Sequence, residues 1–153
     1  MYIAVILLTM LILPLGSIAI EHGVHSDTAW MASVGRWFVF WSVGVRLGLA
    51  GLRQVLQPSF TAREIFHATG DEVLPLVREL GIANLAIGIV ALLSLWNAGF
   101  VLPSAIYAAV FYGAAGVTHV MGQHRSRNEN IAMVSDFFIA VVLAIVIVSA
   151  IAH

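Results

Sequence analysis

Five side chains with chemical potential stand where the surrounding sequence offers little water: Arg46, Glu79, Asn84, His119 and Asp136. A carboxylate or imidazole within hydrogen-bond reach of a substrate can serve as a general base, which gives Glu79 and His119 a possible catalytic role with Arg46 beside them. A second group, Glu21, His22, His25 and Asp27, sits in "EHGVHSD" at 21–27. Imidazole suits several transition metals. Two histidines three apart in a polar loop are nevertheless a weak metal signal, and solvation is the simpler reading. Cysteine is absent, which removes disulfides, thiol redox chemistry and thiol-attached haem. His119 has no second histidine at matching depth, so haem held between two histidines of this chain is not expected.

The elements that must position these groups are membrane helices. The chain of 153 residues is 61% hydrophobic and 10% charged, with a mean hydropathy of +0.99. A soluble domain carries roughly 25% charged residues. At about 150 residues one domain is expected, here an all-α transmembrane bundle. Five apolar runs approach the roughly 20 residues that span a core about 30 Å thick. They lie at about 2–20, 35–56, 75–96, 100–121 and 131–152. The first lacks the positive n-region of a signal peptide and is read as a retained helix, kinked or ended early by Pro14. "TARE" at 61–64 reads as a capping box opening a short amphipathic helix at about 62–68. Asp71 is a candidate N-cap for the third run, with Pro75 in its first turn. "NAG" at 97–99 predicts a tight hairpin, and "GQHRSRNEN" at 122–130 a polar turn.

All seven basic residues are arginines. With five spans, Arg53, Arg63, Arg78, Arg125 and Arg127 fall on the side of the N-terminus, and Arg36 on the other. The positive-inside rule then puts the N-terminus in the cytoplasm and the C-terminus outside, in what reads as a prokaryotic inner membrane. Acidic and basic residues nearly balance, which leaves no nucleic-acid footprint. Trp30, Trp37, Trp41 and Trp96 read as anchors at the outer interface. Gly44 with Gly48, and Ala105 with Ala109 and Gly113, are small-residue stripes that let membrane helices pack closely. Gly81 and Gly88 serve the same purpose.

At 1.5 Å per residue, Glu79 lies about 6 Å deep, Asp136 about 8 Å, Asn84 about 14 Å and Arg46 about 15 Å, all from the cytoplasmic side. His119 lies near that surface. Four helices thus put polar groups in one half of the bundle. Three readings are open. Arg46 can pair with Glu79 or Asp136 simply to fix helix register. The group can instead line a pocket for a small amphipathic ligand, such as a quinone, an isoprenoid or a lipid head group. Catalysis at these residues is the third reading.

From Arg46 to about His124, and on through the final span, the layout resembles the DoxX-like family of small four-helix membrane proteins. The resemblance rests on "VRLGLAGLRQVLQP" at 45–58, "ELGIANLAIGIVALL" at 79–93 and "SAIYAAVFYGAAGVTH" at 104–119. The chain looks closer still to an uncharacterised group of small prokaryotic membrane proteins with the same Glu–Gly–Asn pattern. Two features depart from the DoxX-like pattern: an added N-terminal helix, and "GIAN" at 81–84 where a Gly-Gly pair is usual. The resemblance draws attention to Arg46, Glu79, Asn84 and His119, and implies an accessory subunit or a quinone-linked enzyme. The expectation is a non-catalytic accessory or structural subunit in contact with membrane lipids and with a larger complex or further copies of itself. It would hold a lipid or quinone on the cytoplasmic side. The alternative is a quinone- or isoprenoid-linked enzyme. A transporter is disfavoured, because no inverted repeat or broken helix pair is visible.

Overall fold

The computed structural model describes residues 2–25, 27–121 and 127–152, and all regular structure among them is helical. Helix α1 is continuous over residues 2–24, with a π-helical stretch at Leu8–Ile12. Helix α2 runs over 30–56, with a second π-helical stretch at Val39–Val45. The short α3 is Pro58–Glu64. A 3₁₀ turn, Asp71–Val73, leads into α4, Leu74–Leu93. A second 3₁₀ turn, Ala98–Phe100, leads into α5, Val101–Met121. Helix α6 is Arg127–Ile151.

Four of these segments are long and apolar enough to cross a bilayer: Ile3–Val24, Asp71–Leu93, Ala98–Met121 and Glu129–Ile151. Helix α2 is as long, about 40 Å at 1.5 Å per residue. It is less apolar, because it carries Arg36, Arg46 and Arg53 among its Gly, Ser and Trp residues.

The long helices alternate in direction and pack as two close pairs, α2 with α4 and α5 with α6, with α1 across α2. Glycine sets the first pair. A Cβ added to Gly51 would stand 2.6 Å from the Gly81 carbonyl oxygen, and one on Gly88 would stand 2.9 Å from the Gly48 nitrogen. Backbones that close leave no room for a methyl group. In the second pair Gly116 lies under the Phe137 ring. The expected stripe on α5 is shifted: Ala105 is buried, but the buried line continues through Ala108, Tyr112 and Gly116, with Ala109 and Gly113 half-buried beside it.

Two helices bury a clean stripe spaced alternately four and three. On α4 it is Val77, Gly81, Asn84, Gly88 and Ala91. On α6 it is Ala132, Asp136, Ile139, Leu143 and Val146. That spacing puts one face of a helix against its neighbours and leaves the other outward. Leu76, Ile82 and Ile89 on α4, and Val134, Val141 and Val148 on α6, form the outward faces. Each buried stripe contains one polar residue, Asn84 or Asp136.

Several boundaries differ from the sequence expectation. Pro14 does not end α1. The π-helical turn before it absorbs the missing N–H, and the helix continues to Val24. The short helix opens at Pro58, which needs no N–H in the first turn. Thr61 is therefore interior to it rather than its cap. Its carbonyl closes the helix by accepting from Ile65 and Phe66. Gly70, not Asp71, is the residue before the 3₁₀ turn, and Asp71 meets Arg63 at 3.3 Å on the surface. The hairpin at 97–99 holds as read, with the Asn97 side chain accepting from the Gly99 N–H at 2.9 Å. Residues 122–126 of the polar turn lie outside the described residues.

Candidate functional site

At the end of the bundle that carries α3, the helices part around a cavity of about 970 Å³. Its wall includes Arg46, Asn84, His119 and Asp136, each from a different helix. Four of the five residues singled out in the sequence thus share one space. Glu79 does not: it is exposed on α4, on a face turned away from the cavity. Its offset of five residues from Asn84 turns it roughly 140° around the helix, and the glycine contacts commit Asn84's face to the interior.

The polar groups are tied to one another. Asn84 Nδ2 donates to Gln54 Oε1 at 2.8 Å, a bond buried between α4 and α2. It exists because Gly51 and Gly81 let those backbones approach: a Cβ on Gly81 would sit 2.8 Å from the Gln54 Cβ. His119 Nε2 lies 3.9 Å from Asp136 Oδ2 across the α5–α6 pair. The Arg46 guanidinium is near enough to Asp136 for the two charges to interact across α2 and α6. Arg53, also on the wall, stacks over the Phe60 ring at 3.5 Å and fixes the start of α3.

Polarity is graded along the cavity. Its α5 wall runs from Ile106 to His119, about 20 Å by helical rise. Ile106, Tyr107, Val110 and Phe111 make the far part apolar, and His119, Asp136, Glu129 and Thr61 make the near part polar. Leu49 on α2, with Ile106 and Val110 on α5, keeps about half or more of its surface exposed. The cavity therefore opens sideways between α2 and α5, toward the medium that the apolar faces require.

Gln54 is a site residue that the sequence reading passed over. The signal was present: Gln54 follows Gly44, Gly48 and Gly51 at helical spacing, which puts it on the packed face. A second omission lies deeper. Thr9, Ser42 and Tyr112 are all buried. Ser42 Oγ donates to the Thr9 carbonyl at 3.1 Å, and the Tyr112 hydroxyl donates to the Ser42 carbonyl at 2.6 Å.

The metal candidates lie at the opposite end. Glu21 is occupied: Arg36 Nη1 donates to it at 2.6 Å and Trp37 Nε1 at 2.8 Å. His22 stacks on Trp30 with ring centroids 3.8 Å apart, and His25 is exposed. Among the described residues no three His, Asp or Glu side chains gather as a metal would require. Trp41 Nε1 donates to Ser17 Oγ at 3.0 Å. Trp37 and Trp41 therefore hold α1 to α2, while Trp30 and Trp96 stay exposed where an interface would meet them.

No curated protein and no solved structure matches this chain. A protein family does, over residues 1–153. The chain belongs to that family, a family of unknown function (DUF6790).

Proposed function

We propose that this protein is a membrane-embedded binding protein for an amphipathic, lipid-phase ligand, an accessory component rather than a catalyst. The observation that carries this reading is the graded cavity: about 970 Å³, apolar at one end, polar at the other and open to the side. Pockets for small organic ligands run to about 300–1,000 Å³ and combine apolar walls with a few placed polar groups. A quinone, an isoprenoid or a lipid chain fits this description, with its head among Arg46, Asn84, His119 and Asp136. The mutual ties of Asn84 to Gln54 and His119 to Asp136 suit holding a head group in place. The same reading makes α2 a fifth span and places the arginine-rich end in the cytoplasm. Helices α2, α4, α5 and α6 then form a DoxX-like core with α1 added.

Native mass spectrometry of protein released from membranes in mild detergent tests this. Wild type should retain a bound amphiphile in roughly one-to-one ratio. Ala115→Phe, which fills the cavity from a half-buried position on its wall, should not. Equal retention by both proteins, or a bare wild type, would refute the reading.

A further inference from the structure

The Asn84 side chain, 1% exposed, carries an oxygen with no partner. Its amide nitrogen donates to Gln54, and Oδ1 is buried without a donor. A buried acceptor left unsatisfied is unfavourable, so its place on the cavity wall selects for a ligand that brings a hydrogen-bond donor. Arg46 and Arg53 on this wall are matched by Asp136 and Glu129, so a neutral donor adds no unbalanced charge. A hydroxyl suits the wall: it donates one hydrogen bond and accepts others, and arginine supplies donors only.

Building on the binding role proposed above, we infer that the ligand's head carries a hydroxyl group and that Asn84 Oδ1 accepts its hydrogen. An oxidised quinone, whose ring carbonyls can only accept, would leave Asn84 Oδ1 unpaired. A quinol, an isoprenoid alcohol or a diacylglycerol offers the required donor. The apolar reach of about 20 Å along α5 takes the chain.

The test compares each hydroxyl compound with its own methyl ether, which keeps the oxygen and removes the donor. Farnesol, dioleoylglycerol and a short-chain ubiquinol represent the three sources. Binding is read from the melting temperature of the protein in lipid nanodiscs, since a ligand that binds only the folded state raises it. At least one hydroxyl compound should bind wild type about tenfold or more tightly than its ether, and the tightest identifies the source. Asn84→Leu should bring that ratio close to one. The wild-type comparison is decisive even if Asn84→Leu does not fold. Alcohols and ethers binding equally would overturn the hydroxyl assignment and leave the binding role standing. Failure of every probe to bind would overturn both.

Discussion

The closeness of α2 and α4 can be tested at single-methyl resolution, because two glycines on one helix face opposite consequences. A Cβ on Gly51 would stand 2.6 Å from the Gly81 oxygen and 2.7 Å from the Leu85 nitrogen, both backbone atoms that no rotamer change can move. Ordinary contact begins at 3.4 Å, so the helices must retreat locally by about 0.8 Å, enough to weaken contacts along the seam. Overpacking of this kind costs about 1–3 kcal/mol. A Cβ on Gly48 would meet nothing within 4 Å, although Gly48 lies three residues away on the same helix. Both changes are Gly→Ala inside one helix, so the helix-propensity gain of about 1 kcal/mol is common to both and cancels in the comparison. Gly51→Ala should therefore be less stable than Gly48→Ala by about 1–3 kcal/mol. Unfolding in mixed micelles, followed by tryptophan fluorescence, gives the difference. Two variants agreeing within about 0.5 kcal/mol would show that this seam is not tight, and the account of the Asn84–Gln54 bond would go with it.

The absence of cysteine makes topology accessible to single-site labelling. Gly23→Cys, where added bulk meets nothing within 4 Å, and Ser59→Cys on the short helix should react with an impermeant maleimide from opposite sides of the membrane. Labelling of both from one side would remove α2 from the spanning set. At the far end, Glu21→Gln keeps an acceptor for Trp37 but loses the charge that faces Arg36. Arg36 is 37% exposed, so solvent recovers part of the loss, and destabilisation of about 1–2 kcal/mol is expected in micelle unfolding. An unchanged unfolding curve would mean that the clamp contributes nothing.

Much of the bundle was legible because lipid leaves few alternatives. Backbone groups in a bilayer must bond within the helix, so run length alone located the helices. The convergence of Arg46, Asn84, His119 and Asp136 followed from depth, since each helix admits one level for a given residue. Depth does not fix azimuth, and Glu79 shows the consequence: at a matching level, it turns outward. The α5 stripe missed by one residue for a related reason. Several small residues offered themselves there, and the Phe137 ring on α6 decided which faced inward. The lower apolarity of α2 was visible in composition, but its place against α4 depends on glycines that only a partner helix makes meaningful.

The two π-helical stretches could not be read from run length, yet a local cause can be worked out. In an α-helix the Leu13 N–H would bond to Thr9; here it reaches back one residue further, to Leu8. With that shift, the next donor for the Thr9 carbonyl would be residue 14, which is proline and has none. Ser42 Oγ supplies the bond from α2 at 3.1 Å. The pattern repeats one step on. The Arg46 N–H bonds to Trp41 and Val43 rather than to Ser42, and the Tyr112 hydroxyl reaches the Ser42 carbonyl from α5. Helix irregularity is thus turned into contact between three helices. This account predicts coupling between two residues that act through a third. Ser42→Ala alone orphans the Thr9 carbonyl and should cost about 1–3 kcal/mol. Pro14→Ala restores an N–H within reach of the freed carbonyls, so in that background the cost of Ser42→Ala should fall by about 1 kcal/mol. A double-mutant cycle in micelle unfolding measures the difference. Strict additivity would mean that proline and serine act independently, and the origin assigned to the π-helical stretch in α1 would have to be abandoned.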